Sequence, residues 1–274
     1  MISKVFKQDY LDSRRLLSVI LGSLFLVVVV SSLMVMIGNP ILMILFMVLG
    51  VLAATLIIPG ALLGLAYNYW QSMYGRRGYF TFTLPIPGRQ LAIGKVLYGF
   101  AVAAVSLVLT GLSILILVAG MVVGQRATWA DAGNVWREIL TEMPAPVWWF
   151  ILISVVFGMI VTIIDGAAIL SIGAQSRYNS LGIGAPIIGG IIYYVVLQVL
   201  TLAAMALIPI SLVIYGPDAG QIVFTTMLHD TLRAIEHGDS TSLVGLGSYL
   251  VNLVVTVCLA LWGINAVEKH TSLR

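Results

Sequence analysis

Leu16-Leu-Ser-Val-Ile-Leu-Gly-Ser-Leu-Phe-Leu-Val-Val-Val-Val-Ser-Ser-Leu-Met-Val-Met-Ile37 runs for 22 residues without a charged side chain. At 1.5 Å per residue a helix of that length reaches about 33 Å, enough to cross a hydrocarbon layer of about 30 Å. The run exceeds the apolar core of a secretory signal, roughly 7–15 residues, and no small-x-small cleavage site follows Met36-Ile37-Gly38. It reads as a retained span. Gly38-Asn39-Pro40 then supplies nothing but turn formers before the next apolar run opens at Ile41, so the first two spans are expected to form a tight hairpin.

Five more stretches qualify as spans: about 41–66, 93–123, 147–174, 183–215 and 244–267. The run 183–215 is too long for one straight crossing and is expected to tilt, or to bend near Pro186 and Pro209. The composition agrees, with 60% hydrophobic and only 9% charged residues. Soluble domains carry about 25% charge. A cytosolic enzyme, a nucleic-acid-binding module and a disordered chain are thereby excluded, and nucleic acid is not an expected partner. The fold class is an all-α polytopic membrane protein with six transmembrane helices, expected to form a single transmembrane domain over residues 1–274. The one cysteine, Cys258, excludes a disulfide framework or a cysteine-cluster metal site within one chain.

Charge sets the expected orientation. With the N-terminus inside, the inner segments hold Lys4, Lys7, Arg14, Arg15, Arg76, Arg77, Arg89, Lys95, Arg177, Lys269 and Arg274, eleven of the 14 basic residues. The outer loops, about 124–146 and 216–243, keep Arg126, Arg137 and Arg233 beside Asp131, Glu138, Glu142, Asp218, Asp230, Glu236 and Asp239. Both termini are therefore expected in the cytoplasm. The second outer loop reads as an amphipathic helix from Ile222 to Ile235, and Trp129, Trp136, Trp148 and Trp149 suit an outer interfacial belt.

No catalytic constellation emerges. His229, His237 and His270 lie outside the spans, and no HExxH occurs. Asp165-Gly-Ala-Ala168 begins like a phosphatidyl-alcohol transferase signature, but Ile169-Leu170 stands where an Ala-Arg pair is needed. Gly88-Arg-Gln-Leu-Ala-Ile-Gly94-Lys95-Val96 imitates a phosphate-binding loop, with five residues between the glycines instead of four and Val instead of Ser or Thr after the Lys. The chain therefore has no expected catalytic, cofactor-binding or metal-ligating residue and does not bind ATP by itself.

The distinctive segment is Asn68-Tyr-Trp-Gln-Ser-Met-Tyr-Gly-Arg-Arg-Gly-Tyr-Phe-Thr-Phe-Thr-Leu-Pro-Ile-Pro-Gly-Arg-Gln-Leu-Ala-Ile-Gly-Lys95, between the second and third spans. Tyr67, Tyr69, Trp70 and Tyr74 place rings at the inner interface, Gly75-Arg-Arg-Gly78 is a basic turn, and Pro85 and Pro87 stiffen the approach to the next helix. Two readings stand: a membrane-anchored turn whose arginines meet anionic head groups, or a docking knob for a soluble partner.

The run from Tyr74 to Lys95 resembles the first cytoplasmic loop of small bacterial type-2 ABC transporter permeases, which commonly reads Tyr-Gly-x-x-Gly-Tyr-Leu-Thr-x-Thr-Leu-Pro followed by Arg-x-Gln-Leu and a Lys. The motif covers about 22 residues; six spans with a short outer hairpin extend a less specific likeness over the whole chain. The resemblance implies a multi-pass protein of the bacterial cytoplasmic membrane. It would be the permease subunit of an ABC exporter, pairing with a second permease copy or paralogue and with a separate ABC ATPase subunit that binds ATP and magnesium. It further implies an ATPase-docking coupling segment at Trp70, Met73, Tyr74, Gly75, Arg76, Arg77, Gly78 and Tyr79. An interface helix over residues 1–15 would lie along the inner leaflet. Ile2, Val5, Phe6 and Tyr10 can share a face there, while Lys4, Lys7 and Arg14 reach lipid phosphates; a solvated charge cluster is the competing reading.

Asp165 reads as the one acid within a span, either a functional group or a helix-packing carboxylate bonded to a neighbouring helix. Pro59-Gly60 predicts a bend in the second span. Gly60-Ala-Leu-Leu-Gly64, Gly120-Met-Val-Val-Gly124 and the pair Ala185 and Gly189 are small-xxx-small patterns that permit close helix approach. The cargo expected of such apolar spans is amphipathic: a peptide, drug or lipid. The competing function is a non-transporting membrane immunity, resistance or sensor protein that binds an antimicrobial peptide; an intramembrane enzyme using Asp165 is a third.

Overall fold

The computed structural model describes residues 2–75, 78, 87–142, 144–214, 218–237 and 243–269. Among them run α1 (Ile2–Val35), α2 (Pro40–Met73), α3 (Gly88–Gly124), α4 (Trp129–Glu142) and α5 (Ala145–Gly173). After a 3-10 turn (Ser176–Leu181) come α6 (Gly184–Leu207), β1 (Ser211–Val213), β2 (Ile222–Val223), α7 (Met227–His237), β3 (Leu243–Gly245) and α8 (Gly247–Lys269). The helices α1, α2, α3, α5, α6 and α8 are each long and apolar enough to cross a membrane, the arrangement of a predominantly helical multi-pass membrane protein. Two compact units divide the chain between Trp136 and Arg137.

In the first unit the α1–α2 hairpin turns as its residues dictate. Gly38 takes φ +76°, a left-handed conformation that a Cβ would strain. Asn39 caps α2 by accepting from the N–H groups of Ile41 and Leu42 at 3.0 and 3.3 Å, and Pro40 occupies the first helical turn, where no N–H is needed. The three helices pack through small residues. A Cβ on Gly120 would stand 2.4 Å from Ser32 Oγ, and one on Gly124 2.2 Å from the Val35 carbonyl, so α1 and α3 approach backbone to backbone there. The Ser32 hydroxyl uses that proximity to donate to the Ile116 carbonyl at 2.7 Å. Gly60 and Gly64 likewise face Ile20 and Leu17 of α1. Both GxxxG patterns are intrachain packing seams. Between them Leu17, Ala61, Tyr98 and Val102 form one apolar cluster, and Val28, Ala53, Ala54 and Leu117 another.

No boundary separates residues 1–15 from the first span, because α1 is one helix from Ile2 to Val35. Of its N-terminal apolar residues, Val5 is buried and Phe6 packs edge-on to Tyr98 of α3 with centroids 5.3 Å apart, while Tyr10 and Leu11 are exposed. Pro59 sits inside α2 without ending it; lacking an N–H, it leaves the Thr55 carbonyl without its usual helical partner.

In the second unit α5, α6 and α8 pack on one another. A Cβ on Gly263 would fall 2.9 Å from Ala168 Cα, and one on Gly173 2.6 Å from the Pro186 backbone, marking the close α5–α8 and α5–α6 approaches. In the third small-xxx-small pattern only Ala185 is buried; Gly189 faces open space. The long run 183–215 does not make one bent span. Its helix stops at Leu207, because Pro209 forces Ile208 into extended backbone (φ −77°, ψ 123°). The chain then forms β1, the centre of a small antiparallel sheet ordered β2-β1-β3. Gly220, at φ +91°, makes the turn that returns β2 to β1. The outer-loop helix expected from Ile222 is therefore α7, starting at Met227, and Ile222–Val223 pair with Leu212 and Ser211 instead.

Candidate functional site: a carboxylate-floored groove between α5, α6 and α8

The 3.6-residue period places Thr162, Asp165 and Ile169 on one face of α5, and Gly190, Tyr193 and Leu197 on one face of α6. With Tyr249 and Asn252 from the first turns of α8 they border a groove of about 650 Å³ within the second unit. One wall is held stiff by aromatic packing. Tyr249 lies between Phe150 and Phe157 of α5, at centroid distances of 5.8 and 5.4 Å, and its hydroxyl donates to Ser154 Oγ at 2.8 Å. Asp165 forms the floor, 4% exposed. Sixteen residues beyond Trp149, it lies about 24 Å along the helix from that indole.

The Asp165 carboxylate is partly satisfied. Tyr193 Oη donates to its Oδ2 at 2.5 Å, binding α6 to α5. Thr256 of α8 brings its hydroxyl toward the same carboxylate. Yet Asp165 Oδ1 and Thr256 Oγ1 are both buried without a hydrogen-bond partner among the described residues. Among the described residues no Lys, Arg or His borders the groove. An acid in such a setting is expensive, about 2.5–3.5 kcal/mol on insertion scales, so its presence points to use. Asp165 is thus bonded to a neighbouring helix and also borders a cavity.

The segment expected to dock a partner, Trp70 to Tyr79, divides in two. Trp70, Met73 and Tyr74 are buried, with Tyr74 stacked at an angle on Trp70 at 5.5 Å. The Tyr74 and Gly75 amides both donate to the Trp70 carbonyl, at 2.8 and 2.9 Å, closing the end of α2. These side chains therefore build a firm base and do not themselves offer a docking face. The Gly78 amide donates to the Gly75 carbonyl at 2.8 Å. Arg76, Arg77 and Tyr79 lie outside the described residues. Gly60, beside Pro59, packs on Ile20 and Leu24 of α1. Gly88 to Lys95, the imitation phosphate loop, is the first two turns of α3.

A second polar cluster was not anticipated from the sequence. Lys95 Nζ of α3 bonds Asp9 Oδ1 of α1 at 2.5 Å and Ser72 Oγ of α2 at 2.8 Å, all three residues being buried. One turn further on, Ser13 and Tyr98 share a hydrogen bond of 2.6 Å. Val5, Asp9, Ser13 and Leu17 recur every four residues, so their common face on α1 was legible; which helix that face meets was not. Asp9 and Lys95 otherwise read as ordinary inner-face charges.

No protein-family model, curated protein or solved structure matches this chain.

Proposed function

We propose that this chain is the permease subunit of a bacterial ATP-driven ABC exporter, passing an amphipathic cargo across the cytoplasmic membrane. The observation that carries the reading is the groove between α5, α6 and α8, drug-sized, mostly apolar and floored by a buried carboxylate within membrane-spanning helices. A site of that kind suits a molecule with an apolar body and one polar head. The loop sequence from Tyr74 to Lys95 supports an ATPase partner, and the Lys95–Asp9–Ser72 cluster supports mechanical coupling, since it ties the helices on both sides of that loop to α1. Arg76 and Arg77 would provide the contact, the buried Trp70–Tyr74 pair the rigid base, and a second permease copy or paralogue the other half of the path.

Purification of tagged chain from its native membrane in mild detergent tests this. An ATPase subunit is expected to co-purify and to gain activity when both are reconstituted in lipid. Arg76→Ser with Arg77→Ser is expected to abolish most of that stimulation while leaving membrane insertion intact. A chain that brings down no ATPase and stimulates none removes the transporter reading and leaves the non-transporting one.

A further inference from the structure

We propose that the α5–α6–α8 groove binds an amphipathic amine, Asp165 taking the ammonium group and the aromatic wall the apolar body. This rests on the permease reading and names its cargo class.

The first argument is a comparison inside the chain. Asp9 and Asp165 are equally buried, 3% and 4% exposed. Asp9 is given a cation by the fold, Lys95 at 2.5 Å. Asp165 is given a phenol and a threonine, and among the described residues no basic side chain borders its groove. A buried carboxylate without a positive partner is a costly arrangement unless a ligand supplies the charge.

The second argument is hydrogen-bond supply. A carboxylate offers about four acceptor sites, and an ammonium offers three donors and no acceptor. Tyr193 occupies one site on Oδ2; the Thr256 hydroxyl lies beside the carboxylate without a well-formed hydrogen bond, and Oδ1 keeps acceptor capacity among the described residues. The open carboxylate oxygen calls for a donor, which favours an ammonium over a carboxylate or phosphate ligand, and a primary or secondary amine over a quaternary one.

The third is shape. The rings of Phe157, Tyr193 and Tyr249 border the groove, presenting apolar surface with faces that attract cations. Its volume of about 650 Å³ falls within the roughly 300–1,000 Å³ of drug-sized sites.

The test uses the whole chain, without ATPase, in nanodiscs of zwitterionic phosphatidylcholine, titrated with monodansylcadaverine and with its N-acetyl derivative. The probes share an apolar fluorophore and differ in one ammonium group. Wild-type chain is expected to bind the amine about tenfold or more tightly than the amide, the scale of one charged hydrogen bond. Asp165→Asn is expected to erase that preference, and Thr256→Val to reduce it. Equal binding of amine and amide by wild-type chain overturns the proposal without any variant having to fold. So does an unchanged preference in a folded Asp165→Asn chain. A chain that prefers the amine but recruits no ATPase keeps the site and loses the permease reading. One that couples to an ATPase but shows no amine preference loses only the site.

Discussion

Asp9 and Asp165 show how much a residue's meaning depends on what faces it. In the sequence one sits among basic inner-face residues and the other stands alone in an apolar run, which suggests a solvated charge and a buried one. Both prove buried, and the difference lies in the partner. Removing one member of a buried pair strands the other charge, typically at about 3–5 kcal/mol, whereas replacing both by apolar groups is often neutral. Lys95→Met is therefore expected to lower the thermal midpoint of the purified chain in detergent, and Asp9→Leu with Lys95→Met to restore most of it. A double variant no more stable than the single one would show that the pair is not the source of the effect. Nothing in one sequence links position 9 to position 95, because the contact spans 86 residues and depends on how three helices assemble.

At the scale of the element, local chemistry is far more legible. Helix α4 begins with a reciprocal box written within four residues. The Thr128 amide and hydroxyl both donate to Asp131 Oδ2, at 2.8 and 2.7 Å, and the Asp131 amide returns a bond to Thr128 Oγ1 at 3.2 Å. The Thr128 hydroxyl, and after it the Thr128 N–H, hold the Asp131 carboxyl below its ordinary value of 3.8. A depressed carboxylate stabilises the folded element above that ordinary value and loses the contribution as pH falls through the lower, folded one. Amide exchange at residues 129–132, corrected for the intrinsic pH effect, is expected to be slow at neutral pH and to quicken below about pH 4. Thr128→Ala is expected to quicken it several-fold at every pH. Exchange that ignores both changes would mean the box does not hold the helix start. Proline acts as locally at the end of α6, where Pro209 stops the helix at Leu207; the strand that follows depends on β2 and β3, 9 to 34 residues further on, and its own apolar residues look like more span.

For the whole molecule, a net charge of +3 conceals the division by side that the charge pattern leads one to expect. Eleven basic residues fall in segments assigned to the inner face, and the segments assigned to the outer face carry seven acids against three bases. With Cys258→Ser as background, Asn134→Cys and Ala219→Cys are expected to react with an impermeant maleimide applied to intact cells, and Ser3→Cys and Ser272→Cys only after lysis. The reverse pattern would invert the topology and place the basic loop between α2 and α3 beyond reach of a cytoplasmic ATPase.

The sequence by itself determined the six spans, the tight hairpin at Gly38-Asn39-Pro40 and the glycines along which α1 meets α2 and α3. Each follows from interactions within a few residues: the length of an apolar run against a bilayer, a backbone that needs glycine or proline, a missing Cβ. Only the tertiary structure decided that Lys95 neutralises Asp9, that Tyr193 and Thr256 face Asp165, and that Trp70 and Tyr74 are buried. Those facts depend on the rotation of each helix about its own axis. In spans that are apolar nearly all round, periodicity sets that rotation weakly, and the close fit of neighbouring helices sets it instead.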